Sequence, residues 1–142
     1  MLESEIIMER SPHIIPALQR KTQLLVVADN ATVQDVLSGM LSFLGYHVTL
    51  ADNGFEGGTL FLSGSFDLVI TGFEMPLMNG RELSRLIKQR SPNTPVIVIT
   101  EFDKHNSWEK LNTKFVDGII PKPFKLKEIE KTVQKVLNSR II

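Results

Sequence analysis

The chain is predicted to fold as an α/β domain, a parallel sheet of five strands covered on both faces by five helices. Three observations carry this prediction. Short continuous apolar runs recur at Leu24–Ala28, within Asp67–Thr71 and at Val96–Thr100, as in strands buried on both faces of a parallel sheet. The segments between them space their apolar residues three and four apart, the period of an amphipathic helix. Strand-like and helix-like segments also alternate along the chain, which builds a parallel sheet with helices above and below it.

The elements follow in order. "LLVVA" (Leu24–Ala28) is the first strand. Thr32-Val33-Gln34-Asp35 is read as a capping box for a helix whose apolar face is Val33, Val36, Leu37, Met40, Leu41 and Leu44, and which Gly45 ends. Val48 and Leu50 mark a second strand. The helix after Asn53-Gly54 is predicted to be weak, since Gly57 and Gly58 each cost about 1 kcal/mol relative to Ala. "DLVIT" (Asp67–Thr71) is the third strand, and Leu83, Leu86 and Ile87 give the next helix its buried side. The turn Ser91-Pro92-Asn93-Thr94-Pro95 leads into "VIVIT" (Val96–Thr100). A fourth helix with a poor apolar pattern is expected around Lys104–Phe115, then a short strand at Gly118–Ile120. Leu126, Ile129, Val133, Val136 and Leu137 line the last helix.

The whole chain has 142 residues, enough for one core. Residues 1–22 differ in texture and form an N-terminal extension, with Pro12 and Pro16 interrupting any helix. Two readings stay open for it: a flexible leader, or a docking surface of Ile6, Ile7, Met8, Ile14, Ile15 and Leu18 for a partner or a second copy. Residues 23–142 form the domain itself. Lys plus Arg and Asp plus Glu both number 16, so net charge is zero and no basic stripe along the chain favours nucleic acid. Cysteine is absent, which excludes thiol catalysis and disulfides and suits a reducing compartment. His13, His47 and His105 show no metal-ligand spacing. Without an apolar run of about 18 residues or a secretory leader, the expectation is a soluble cytoplasmic protein.

In open α/β sheets ligands bind beyond the carboxyl ends of the strands. The residues there are Asp29 after the first strand, Gly72 after the third, Thr100 at the end of the fourth and Lys122 after the fifth. A carboxylate, a hydroxyl and an ammonium thus meet on one edge with a glycine among them. The stretches "LLVVADN", "DLVITGFEMPLMNG", "PVIVIT" and "PKPF" occur in the order and at the spacing of bacterial response-regulator receiver domains, which residues 23–140 closely resemble.

The resemblance implies a flavodoxin-like, doubly wound sheet of strand order 2-1-3-4-5. It also implies a mechanism. An aspartate at the end of the third strand takes a phosphoryl group from a phosphohistidine, acting as a nucleophile. Two acids after the first strand help to hold Mg²⁺, which offsets the repulsion between nucleophile and phosphoryl group. A Ser/Thr and a Lys bind the phosphoryl oxygens, and the hydroxyl's movement alters the face made by the fourth helix, fifth strand and fifth helix. Asp29, Thr100 and Lys122 match this pattern. Ala28 stands at the first acidic position, Gly72 at the acceptor position, Ile119 where many members carry an aromatic residue, and Glu101 where a small residue usually follows the hydroxyl. The resemblance also implies a cis Lys122–Pro123 bond.

These departures define the expectations. Gly72 is either a flexible residue of a tight turn or a deleted acceptor. Asp67 begins its strand, at about 3.3 Å per residue too far away to replace it. Glu74 is the nearest substitute, ahead of the Thr71 hydroxyl. With Asp29 alone, Mg²⁺ is poorly supported, and Asp29 is expected either to pair with Lys122 or to cap the first helix. Thr100 and Lys122 remain as a remnant pocket able to hold a water or an anion. Trp108 is either partly buried or an exposed anchor for a partner.

The leading expectation is a non-enzymatic interaction module in two-component signalling that needs no cofactor. It would use the fourth-helix to fifth-helix face and perhaps dimerise. A phosphorelay protein using Glu74 is the alternative, and a flavin- or small-ligand-binding protein is disfavoured by the lack of a phosphate-cradling loop after the first strand. No output segment follows the last helix in this sequence, so output is expected from partners, dimerisation or a separate chain.

Overall fold

A computed structural model of the chain describes residues 21–101 and 113–139. The strands are β1 (Gln23–Val27), β2 (His47–Ala51), β3 (Leu68–Gly72), β4 (Val96–Glu101) and β5 (Gly118–Lys122). They form one parallel sheet in the order β2-β1-β3-β4-β5, the flavodoxin-like order expected. The described residues contain four α-helices, not five: α1 (Ala31–Phe43), α2 (Gly54–Ser63), α3 (Gly80–Arg90) and α4 (Leu126–Ser139). Most of the helix predicted around 104–115 lies outside the described residues, as does Trp108, and its last three positions, Thr113–Phe115, form a 3-10 turn. Residues 1–20 of the extension also lie outside them.

The apolar runs of β1, β3 and β4 are buried on both faces, and the helices divide their side chains into two cores. Leu24, Val26, Leu68, Ile70, Ile97 and Ile99 meet Leu37 and Leu41 of α1 and Ile129 and Val133 of α4. On the other face Leu25, Val27, Val69 and Val98 meet Phe61 of α2 and Leu83 and Ile87 of α3. Burying an aliphatic side chain of this size is worth about 1.5–3 kcal/mol relative to exposure, so these contacts dominate the fold's stability.

Helix α1 is capped two residues before the Thr32 predicted to cap it. Its cap is Asn30, whose Oδ1 accepts from the Val33 N–H at 3.0 Å. The Gln34 side-chain amide donates to the Ala28 carbonyl at 2.6 Å and to Asp52 Oδ1 at 2.9 Å, tying the ends of β1 and β2 together. Helix α2 forms despite its glycines. The Asn53 side chain caps it by accepting from the Glu56 N–H, and Phe61 is buried beneath it. A full capping box starts α3: Asn79 accepts from the Glu82 N–H while Glu82 accepts from the Asn79 N–H. The predicted short fifth strand extends by two residues to Lys122, because β4 continues to pair with it to Glu101.

Candidate functional site

Each strand of the inner sheet ends at the same edge, and a cavity of about 380 Å³ opens there. Its apolar floor includes Val27, Ile70 and Ile99, with Val33 and Leu37 from α1; its rim carries Ala28, Asp29, Gly72, Glu74, Thr100, Glu101 and Lys122. Asp29, Gly72, Thr100 and Lys122 are thus brought together from four strands, as the sequence predicts. Ile119 is not. It pairs in register with Val98 and packs into the α3-side core. Asp67 lies at the opposite end of β3, where its carboxylate accepts from the Gln23 N–H at 2.7 Å.

Gly72 is the last residue of β3, opposite Ile99. Its backbone is ordinary: the positive φ angles among the described residues fall at Leu77 (74°) and Gly45 (97°). A Cβ placed on Gly72 would meet Met75 at 3.6 Å and the Val27 carbonyl at 3.9 Å, ordinary contact distances. The tight-turn reading of this glycine is therefore incorrect, since neither backbone angle nor space requires it. The turn is made further on. There Gly80 lies so close to the Gly72 carbonyl that a Cβ would come within 2.2 Å, and the exposed Leu77 takes the positive φ.

Asp29 takes neither role expected of it. Asn30 is the helix cap, and no ion pair joins Asp29 to Lys122 among the described residues. The sheet order explains the second result. Strands β1 and β5 are three places apart, about 14 Å at about 4.8 Å per strand, so the two side chains would have to extend fully to meet. The β3 tip is two places from β5, so Lys122 is better placed to reach towards Gly72. The Lys122–Pro123 bond is cis, as the resemblance implies. Thr100 is buried, and its hydroxyl makes one long hydrogen bond, 3.5 Å to the Glu101 carbonyl.

No three His, Cys, Asp or Glu side chains among the described residues come together as a metal would require, and Ala28 and Gly72 supply none of the oxygens. Sequence reasoning missed Met75, whose thioether lies beside Gly72 and 3.8 Å from the Thr71 hydroxyl. No sequence period marks a loop residue for such a place. It also missed Val33 and Leu37 as cavity residues, having read them as helix core.

Comparison with known proteins agrees with this geometry. The family model for response regulator receiver domains matches residues 24–134. Response regulator MprA of Mycolicibacterium vanbaalenii is 32% identical over 115 residues, covering 81% of this chain and 50% of that protein. The chain thus spans about half the length of such relatives. The solved structure of response regulator protein TrrA from Thermotoga maritima, in complex with Mg²⁺ and BeF, matches with TM-score 0.74 at 30% identity, covering 81% of this chain and 98% of that one. Vibrio cholerae chemotaxis protein CheY4 matches with TM-score 0.76 at 26% identity, covering 82% and 99%. Its strands, its cavity edge and these relatives together make this chain a member of the response regulator receiver domain family.

Proposed function

We propose that this receiver domain signals through protein contacts without forming an aspartyl phosphate. The observation that carries the reading is Gly72. It lines the cavity at the tip of β3 with room for a side chain, so its lack of a carboxylate is a property of the site and not a demand of the backbone. Ala28 removes a second acid from the same rim, which leaves too few oxygens for Mg²⁺. Thr100 and Lys122 persist as the groups that would contact a phosphoryl oxygen. On this reading the protein is no enzyme, needs no cofactor, spans no membrane, binds no nucleic acid and works in the cytoplasm. Its partners are proteins of a signalling pathway that bind the face of β5 and α4, and self-association is a further route to output.

Two-dimensional NMR with Mg²⁺ and then beryllofluoride tests this. The wild type should show no shifts at Thr100 or Lys122, whereas A28D/G72D, which restores both acids, should respond. A wild-type response sinks the proposal. One observation favours a second reading: Glu74 also lines the cavity. Under that reading, incubation with a phosphorylated histidine kinase followed by mass spectrometry would find a modified Glu74, and an unmodified chain removes it.

A further inference from the structure

Zero net charge conceals a separation along the chain. Residues 22–80 hold six carboxylates, Asp29, Asp35, Asp52, Glu56, Asp67 and Glu74, and no Lys or Arg. Residues 81–142 hold 13 Lys and Arg against seven carboxylates, so the two stretches carry net charges of −6 and +6. The fold turns this sequence division into a spatial one. The first stretch supplies β2, β1 and β3 with α1 and α2; the second supplies β4 and β5, at the other end of the strand order, with α3 and α4.

Five of the six carboxylates collect at the carboxyl edge. Asp29 and Asp52 follow β1 and β2, Asp35 lies in the second turn of α1, Glu56 in the first turn of α2, and Glu74 follows β3. Lys127, Lys131 and Lys135 are all exposed on α4, which packs beside α1 and next to β5. Their four-residue spacing makes one ridge, with about 6 Å of helix rise between neighbours. None of these lysines is in an ion pair among the described residues. Several acids of the basic stretch are occupied. Asp117 accepts from Lys88 at 2.6 Å and from the Val96 N–H, Glu82 belongs to the α3 capping box, and Glu128 accepts from the Lys125 N–H.

We propose that the acidic carboxyl edge of one copy docks against the α4 lysine ridge of a second copy, a heterologous head-to-tail contact. Like charges gathered on one surface repel one another, and an opposed surface relieves both sets at once. With zero net charge, no long-range repulsion keeps two copies apart. A contact between different surfaces repeats, closing into a ring or extending as a filament. Because the Debye length is about 8 Å at physiological ionic strength, the attraction acts near contact and weakens with salt. The contact holds whether or not the pocket takes a phosphoryl group, so it stands apart from the proposed lack of an acceptor.

Sedimentation velocity of the full chain at about 1 mM, in about 20 mM and about 500 mM NaCl, tests the contact. The expected result is concentration-dependent association at low salt, weakened about tenfold or more at high salt. K127E/K131E/K135E and D29K/D35K should each abolish it alone, while a mixture of the two variants should associate, since one keeps the acidic edge intact and the other keeps the lysine ridge. A wild type that stays monomeric at low salt overturns the proposal. So does association that persists at high salt or in either variant alone, which would point to an apolar interface. Binding of a DNA oligonucleotide to the lysine ridge without self-association overturns it too. The wild-type salt series decides the matter even if a variant fails to fold.

Discussion

Gly72 and Gly80 end the same loop, eight residues apart, and the structure treats them oppositely. A side chain at Gly80 would collide with the Gly72 carbonyl and the Phe73 backbone, whereas one at Gly72 would make ordinary contacts with Met75. Gly54, at the start of α2, is like Gly80, since its Cβ would strike the Met78 backbone. The loop is therefore held tightly where it packs against the starts of α2 and α3, and left open where it faces the cavity. Constraint and chemistry have come apart here: the housing of the β3 tip is rigid, while the residue it displays is free to vary.

The largest predicted effect tests the rigid side. Gly80→Ala should destabilise the domain by about 3 kcal/mol, because backbone and not a flexible side chain blocks the Cβ. Urea unfolding would measure it, and a loss below about 1 kcal/mol would show that the loop yields and erase the contrast. Asn79→Ala removes half of the α3 capping box and should cost about 1 kcal/mol by the same measurement. On the open side, Gly72→Ala should change stability by less than about 0.5 kcal/mol, or raise it, since Ala restricts the unfolded chain without strain. A large loss there would mean that the cavity edge is as constrained as the loop.

The smallest effect provides a reference away from both glycines. Tyr46 packs into the α1–α4 core, where burial first and the Glu130 carboxylate second raise its pKa above the ordinary 10.0. The folded state favours the neutral phenol, so this contribution is present below the unfolded pKa and is lost as pH climbs from about 10 through the raised value. Tyr46→Phe should flatten the alkaline limb of a stability–pH curve. An unchanged limb would assign that loss to other groups.

Much of this was legible in the sequence. The apolar runs at Leu24–Val27 and Val96–Ile99 report burial directly, and the spacing of Leu83 and Ile87 reports a helix face. Asp29, Gly72, Thr100 and Lys122 were found because the position after a strand is a local property, and parallel strands bring all such positions to one edge. The failures were equally physical. The α1 cap moved by two residues, from Thr32 to Asn30, and the bridge that Gln34 makes between β1 and β2 joins segments remote in sequence. Alternation along β5, not the residue's type, put Ile119 on the α3 side and Ile120 on the α1–α4 side.

By itself, then, the sequence determined the alternating α/β order, the residues that line the strand ends and the imbalance of charge between its two stretches. These depend on periodicity and composition, which are carried by neighbours in the chain. Tertiary structure alone decided which glycines are obligatory, that Asp29 and Lys122 do not pair, and which carboxylates gather at the carboxyl edge. Each of those depends on distances between segments remote in sequence, set by strand order and by how closely one backbone approaches another.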